Sequence, residues 1–278
     1  MKTINKGLNN VNKFLKKLEK HHVSEYSVQC AYYTILAFIP FIVLLFSLIQ
    51  FTSIGKDVIF FLAEEIIPGN IYGFVENVIK EASFKSIGTL SLSIVLLIWS
   101  AGKGFFALCK GFHYIYETPK EYNYWFIKLK SMISILIFIA IIVGVLFLVA
   151  FGNKLVNFVI MNYTSLSTPI TLVLHWRFIW QLIILFLIFW IMYKYVPNHN
   201  VKFKTQIPGA IFSAISWYLL SYIFSIYLRI FTNFSVIYGS LTSLILLMIW
   251  VYWCMYTLLI GAEINAWMDK KNKLKNKS

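Results

Sequence analysis

Three charged side chains lie inside or at the ends of long apolar stretches. Lys103 follows Trp99 by one helical turn, Arg229 lies near the end of one apolar stretch, and Glu263 follows the uncharged run 244–262. A charge at the middle of a bilayer costs roughly 2.5–3.5 kcal/mol on insertion scales, and less toward the ends of a span. These three residues are therefore the first candidates for a functional site.

Two interpretations of these charges are open. In the first, Glu263, Lys103 and Arg229 line a polar cavity that handles an amphiphilic molecule. The other residues predicted to line this cavity are Tyr32, Tyr33, Tyr218, Tyr222, Trp99 and Asn265. In the second, Lys103 and Arg229 extend to opposite membrane surfaces, as long basic side chains do, and Glu263 pairs with a basic inner segment. Helical spacing places Tyr252, Tyr256 and Glu263 on one stripe, which favours a protein-facing Glu263.

Motifs for metal, nucleotide and nuclease chemistry are missing from the sequence. There is no HExxH, no His/Cys pair with zinc-ligand spacing and no GxxxxGK[ST] phosphate loop. The acidic residues form no cluster of the kind that holds Mg²⁺ in nucleases. The three cysteines are isolated and predict no disulfide framework. We expect no metal site, no cofactor and no enzymatic activity.

The composition is that of a membrane protein. Hydrophobic residues make up 59% of the chain, charged residues 13%, and the mean hydropathy is +0.73, whereas a soluble domain has about 25% charged residues. The net charge of +14 comes from lysines in short segments beside apolar runs. Membrane topology signals lie in such segments, so we expect no binding of nucleic acid.

The apolar runs predict an all-α bundle of six membrane spans. Each run approaches the roughly 20 residues that a helix needs to cross a bilayer. The predicted spans are 28–51, 87–108, 131–152, 174–196, 208–231 and 238–263. The segment 1–27 predicts a basic amphipathic helix whose less polar side carries Leu8, Val11, Leu15, Leu18 and His22. It either lies on an anionic membrane surface or packs as a solvated helix on the protein's own loops. Residues 52–86 predict an outer amphipathic segment, and 264–278 a basic tail.

Four residues are predicted to shape the helices. Pro40 lies in the middle of the first span, where it removes a backbone hydrogen bond and predicts a kink. Gly104 and Gly209 predict close helix packing, because small residues let membrane helices approach each other. Gly239, at the start of the sixth span, predicts a close approach or a helix break, with an ordinary outer turn as the alternative.

The positive charges predict the orientation. Eighteen lysines fall on the segments that lie inside if the N-terminus is inside, whereas five Lys or Arg fall on the other side. Cytoplasmic segments carry this kind of excess. We therefore expect both termini to be cytoplasmic and the basic inner face to contact anionic lipid headgroups. A homo-oligomer and envelope-protein partners stay open.

A set of short motifs resembles the YihY/BrkB family of bacterial inner-membrane proteins along nearly the whole chain. The motifs are Ala31-Tyr32-Tyr33 with Ala37 and Pro40; Trp99-Ser100-Ala101 with Lys103-Gly104; Tyr193 with Val196-Pro197-Asn198; Pro208-Gly209-Ala210; Tyr227; Ile237-Tyr238-Gly239-Ser240-Leu241; and Gly261-Ala262-Glu263-Ile264-Asn265-Ala266. The resemblance implies six transmembrane helices in the cytoplasmic membrane of a bacterium.

The resemblance also bears on function. Members of this family are described as transporters, as a virulence factor linked to serum resistance and, under an older label, as ribonuclease BN. Our first hypothesis is a transporter, exporter or translocator of a lipid-like or amphiphilic molecule. The second is a membrane scaffold in envelope biogenesis. The ribonuclease label is a remote third, because the sequence contains no chemistry that supports it.

Overall fold

The computed structural model describes residues 12–50, 87–117, 129, 177–197, 201–230 and 240–275. Over these residues the protein is helical, with no strand. The helices are α1 (12–20), α2 (Val23–Gln50), α3 (Ile87–Ile115), α4 (Arg177–Tyr195), α5 (Ile207–Ile230) and α6 (Ser240–Lys275). A single 3-10 turn, Phe203–Gln206, leads into α5.

Four of these helices are long and apolar enough to cross a membrane. The apolar segments are Val23–Leu44, Ser91–Ile115, Phe203–Tyr227 and Leu244–Lys270, and α4 contributes a shorter one, Gln181–Tyr195. Many of their large apolar side chains are exposed. Exposed apolar surface of this extent suits a hydrocarbon environment, since soluble proteins expose few contiguous apolar patches. The protein is therefore a helical membrane protein.

One end of the bundle, which we call the α1 end, holds the main core. Here α2 and α5 begin, and α3, α4 and α6 approach their C-termini. Phe112, Tyr193, Leu259 and Ala262 are fully buried there, and Leu18 of α1 packs against the same cluster. α2 packs against α3 and α6, and α5 packs against α4 and α6. Because of these contacts, α6 lies between the α2–α3 pair and the α4–α5 pair.

α5 and α6 approach each other at two glycines. A Cβ atom on Gly209 would overlap the carbonyl oxygen of Gly261, and a Cβ on Gly261 would overlap the hydroxyl oxygens of Ser213 and Tyr193. The missing Cβ atoms allow the two backbones to touch, as small residues do between membrane helices. This contact fixes the position of α6 beside the start of α5. Gly104 makes a similar but looser contact between α3 and α2, because a Cβ there would lie 3.2 Å from the Tyr33 Cβ.

The helices extend beyond the predicted membrane spans at the α1 end. α2 begins at Val23 rather than 28, α3 continues to Ile115 rather than 108, and α6 continues to Lys275 rather than 263. The physical reason is that polar residues beyond each apolar run find partners in neighbouring helices. The basic tail predicted from 264 is therefore helical as far as Lys275.

Several predictions fall outside the described residues. The third span, 131–152, the outer segment 52–86 and Gly239 are among them, so the count of six spans stays a prediction. Pro40 lies inside α2 and is buried, and its kink also stays a prediction.

The α5–α6 contact predicts a large effect of a single methyl group. We expect Gly209→Ala to lower the free energy of unfolding by about 3 kcal/mol, because the added Cβ would overlap the Gly261 carbonyl oxygen, a backbone atom that cannot move aside. Gly111→Ala is the control, since its Cβ would meet only side-chain carbons, at 3.1 Å from Leu259 Cδ2 and 3.3 Å from Tyr26 Cβ. Unfolding midpoints in mild detergent would measure both. Equal stability of the two variants would contradict the close contact.

Candidate functional site

The Glu263 carboxylate is buried at the α1 end. It is 1% exposed, and His21 Nδ1 lies 2.7 Å from its Oε2 atom. Lys17 Nζ lies 3.8 Å from its Oε1 atom. Both partners belong to the amphipathic N-terminal segment, which is far from Glu263 in sequence. Since a carboxylate accepts hydrogen bonds and does not donate them, His21 donates from Nδ1.

The turn between α1 and α2 places His21 against Glu263. His22 has φ of 54°, in the left-handed region, and its N–H donates to the Glu19 carbonyl. A left-handed residue of this kind commonly ends a helix, and His adopts the conformation more readily than most side chains. α1 therefore ends at residue 20, and His21 lies in the turn directly after it.

The face of α1 that is buried differs from the predicted one. Leu18 and His21 are buried and Phe14 and Lys17 are half-buried, whereas Leu15 is 51% exposed and His22 is exposed. The helix is thus rotated relative to the predicted apolar side. The reason is the buried carboxylate: an unpaired charge costs more than an exposed leucine. The ring of Phe14 also packs against that of Trp267, with centroids 6.4 Å apart.

A second carboxylate lies on the other side of His21. Glu117 Oε1 is 3.8 Å from His21 Nε2, and Glu117 Oε2 accepts a hydrogen bond of 3.2 Å from Lys270 Nζ. That hydrogen bond holds the pKa of Glu117 below its ordinary value. Glu117 and Lys270 are both more than half exposed, so this ion pair contributes little to stability. Its role is to link the end of α3 to the end of α6 around His21.

On the opposite side of α6, uncharged hydrogen bonds hold the same segment. Asn265 Oδ1 accepts a 2.7 Å hydrogen bond from the Gly209 N–H, which satisfies a free donor in the first turn of α5. Tyr193 donates to the Leu258 carbonyl at 2.7 Å. Because the Tyr193 hydroxyl has only one proton, it accepts from Ser213 at 2.6 Å. Asn265 is therefore a helix-capping residue, oriented by α5.

Lys103 occupies a different environment, on the α2–α3 face. Its side chain is exposed, and its Nζ atom lies 4.9 Å from the centre of the Trp99 ring and 5.9 Å from that of Tyr33. Tyr32 packs edge-on against Tyr33, with ring centroids 5.2 Å apart. The structure thus brings together four of the predicted residues: Lys103, Trp99, Tyr33 and Tyr32.

The predicted residues therefore separate into groups. Glu263 contacts the α1 segment, whereas Lys103 contacts aromatic rings, so no described contact joins these two charges. Tyr218 is half-buried and Tyr222 is 56% exposed, and both lie on α5, which packs against α4 and α6. Arg229 lies in α5, and its side chain is outside the described residues.

Among described residues, no group of three or more His, Cys, Asp or Glu side chains could hold a metal ion.

His21, Lys17 and Glu117 are the residues that sequence reasoning missed. His21 and His22 are neighbours in sequence, yet one is buried and the other exposed. The signal that could have selected His21 is the pairing requirement of Glu263, a carboxylate on a protein-facing stripe beside a basic N-terminal helix.

Comparisons with known proteins identify the family of this chain. The family described as "Virulence factor BrkB" matches residues 14–278. This chain is a member of the BrkB family. A ribonuclease-like protein YfkH of Bacillus subtilis is 26% identical over 268 residues, covering 94% of this chain and 97% of that protein. A membrane protein of Cronobacter sakazakii is 23% identical, covering 93% of this chain and 88% of that one.

A third relative carries the name YihY, which is one of the two names of the family that the sequence motifs resemble. The membrane protein YihY of Salmonella typhimurium is 33% identical over 112 residues, covering 40% of this chain and 38% of that protein. No solved structure matches the chain. The chain is thus a multi-pass helical membrane protein of the BrkB family, and the ribonuclease-like description belongs to the Bacillus relative.

The buried hydrogen bond between His21 and Glu263 predicts a large difference in stability between variants of two adjacent histidines. We expect His21→Ala to destabilise the protein by about 3 kcal/mol or more, because it leaves the Glu263 carboxylate buried with only the more distant Lys17. His22→Asn is the control, since His22 is 56% exposed and Asn tolerates its positive φ. Thermal unfolding in detergent would report both. An His21→Ala protein as stable as His22→Asn would contradict the importance of the pair.

Proposed function

We propose that the protein is a transporter or translocator of a lipid-like or amphiphilic molecule, with Glu263 and His21 as its ionisable centre. The observation that carries this proposal is the burial of Glu263 in a membrane domain. An ionisable residue inside a membrane protein is expensive, and functional sites are where such residues usually occur. If the contact at this position only stabilised the fold, apolar side chains of similar volume could make it without the desolvation free energy of a buried charge.

The arrangement around Glu263 supports a moving contact. Its partners come from α1, which is held to the bundle by Leu18, Phe14 and the two ion pairs of Glu263. Alternating access needs the α1 end to open and close. In our proposal, opening separates His21 from Glu263, and protonation of the carboxylate or a cationic group replaces the lost partner.

The outer surface of the bundle supports a lipid-like substrate. Lys103 and the neighbouring Trp99 and Tyr32 are exposed, Trp99 by 51% and Tyr32 by 50%. A polar group that is open on this face is reached from the bilayer rather than from water. An amphiphile could therefore enter laterally, with its headgroup against Lys103 and its chains in lipid.

The proposed location is the cytoplasmic membrane of a bacterium, with the α1 end inside. The exposed lysines of α1, Lys13, Lys16 and Lys20, lie at the same end as Lys202 and Lys204 before α5. A basic surface of this kind favours the cytoplasmic side and anionic headgroups.

A membrane scaffold in envelope biogenesis is the second candidate function. The observation that favours it is the presentation of α1, which is anchored by Glu263 while its lysines and Leu15 stay exposed. Such a face could hold a protein partner at the membrane surface without any transport.

The proposal predicts that Glu263→Gln abolishes transport while the fold survives. Glutamine keeps the size of the side chain and can accept the His21 hydrogen bond, but it cannot ionise. The assay is movement of fluorescent phosphatidylglycerol and phosphatidylcholine between leaflets of protein-containing vesicles, measured by bleaching of the outer leaflet. Wild type is expected to exceed protein-free vesicles, and Glu263→Gln is expected to match them.

The matched control is Glu25→Gln, an exposed carboxylate at the same end of the bundle. We expect it to transport at the wild-type rate. Folded wild-type protein that moves no lipid faster than protein-free vesicles would contradict the proposal and favour the scaffold.

A further inference from the structure

Lys103 is a cation on the lipid-facing surface of a membrane helix. The exposed side chains on the same face of α3 are apolar: Leu92, Val95, Leu96 and Trp99. Lys103 continues this face one turn after Trp99 and is itself exposed. In the described part of the chain, no carboxylate forms a salt bridge with it. The charge therefore faces a medium that cannot solvate it.

The depth of Lys103 makes this environment unusual. Lys103 is sixteen residues after the start of α3 at Ile87 and twelve before its end at Ile115, which corresponds to about 24 Å and 18 Å along the helix axis. The hydrocarbon core of a bilayer is about 30 Å thick. If α3 crosses it centrally, the Lys103 Cα lies on the order of 10 Å inside the core. Helical side chains also lean toward the N-terminus, which carries the ammonium farther from the α1 end.

Aromatic groups surround the ammonium on the protein side. Its distances to the Trp99 and Tyr33 ring centres, 4.9 and 5.9 Å, are those of cation–π contacts. These rings lower the cost of the charge, but they do not neutralise it. The same two rings carry hydrogen-bond donors, the indole N–H of Trp99 and the hydroxyl of Tyr33, and Tyr32 packs against the Tyr33 ring and carries a third. A cation that pairs with no described carboxylate, beside side chains that can donate hydrogen bonds, is a candidate site for an anion.

We propose that Lys103, Trp99 and the Tyr32–Tyr33 pair bind the phosphate group of an anionic phospholipid from the surrounding bilayer. Lysine is a common point-charge ligand for phosphate, and an acyl-chain lipid is the phosphate carrier that can reach a face surrounded by hydrocarbon. A net negative headgroup pairs with the single positive charge, whereas a zwitterionic choline headgroup brings a second cation. The site thus selects anionic over zwitterionic phospholipids.

This inference deepens the proposed function and rests on it in one respect. Resting phospholipids keep their phosphates at the membrane surface, so a phosphate bound at the depth of Lys103 lies below that surface, as movement between leaflets requires. The site would then hold the headgroup at an intermediate point along the surface of the α2–α3 pair.

Lys110 provides a matched comparison on the same helix. Its Nζ lies 4.8 Å from the Phe106 ring centre, so it makes the same kind of contact with the ring one turn before it. It is half-buried and lies seven residues closer to the charged α1 end. The ring contact alone does not distinguish the two lysines. The two lysines differ in their depth along α3 and in their exposure. We therefore expect only Lys103 to bind the lipid phosphate.

The test is lipid retention by the full-length protein in native mass spectrometry. The protein is released from nanodiscs that contain equal amounts of phosphatidylglycerol, phosphatidylcholine and diacylglycerol. We expect wild type to retain phosphatidylglycerol in preference to the other two. Lys103→Gln is expected to retain about ten-fold less of it, the effect of losing one charge-assisted contact. Lys103→Arg should retain most of it, and Lys110→Gln should match wild type.

Two results would overturn the site. One is equal retention of phosphatidylglycerol by wild type and by folded Lys103→Gln protein. The other is a wild type that retains the zwitterionic or uncharged lipid as well as the anionic one, which tests the proposal even if Lys103→Gln fails to fold. Loss of binding in Lys103→Gln together with no lipid movement by wild type would keep the site and remove the transport function. Lipid movement by wild type, together with equal lipid retention by wild type and Lys103→Gln, would remove the site and keep the transport function.

Discussion

The α1 end of the bundle depends on one requirement: the Glu263 carboxylate, 1% exposed, must have a partner. A buried charge without a partner costs several kcal/mol, so the side chains that can pair with it decide how the surrounding helices are placed. His21 and Lys17 are these partners, and pairing with them rotates α1 away from the face that its leucines would choose. The left-handed turn at His22 follows from the same requirement, because it ends α1 where His21 reaches α6.

Uncharged contacts on the opposite side of α6 hold Glu263 in place. Gly209 and Gly261 bring the backbones of α5 and α6 together, and Asn265 caps the first turn of α5. The segment from Gly261 to Asn265 therefore has two functions in one helical turn. One face packs rigidly on α5, while the other face presents a carboxylate to α1. The α5–α6 contact would hold Glu263 in place while the contact between His21 and Glu263 separates, which is what a site that opens and closes needs.

The sequence was sufficient to predict the all-helical membrane fold and the family, because apolar runs and local motifs are properties of neighbouring residues. It was also sufficient to select Glu263 as a protein-facing charge and Lys103 as a charge beside aromatic rings. It could not pair Glu263 with His21, since these residues are 242 positions apart. Only the packing of the helices on one another shows that Glu263 and Lys103 contact different groups, and that Asn265 caps the first turn of α5.

The central claim is that His21 and Glu263 act as a coupled pair, and a double-mutant cycle measures this coupling directly. The free energies of unfolding of His21→Ala, Glu263→Ala and the double variant would be compared with that of wild type, because each single change removes the hydrogen bond between the two side chains. We predict a coupling energy of about 2 kcal/mol, because contacting buried partners are not additive. Additive effects, with a coupling energy within about 0.5 kcal/mol of zero, would contradict the pairing on which our account rests.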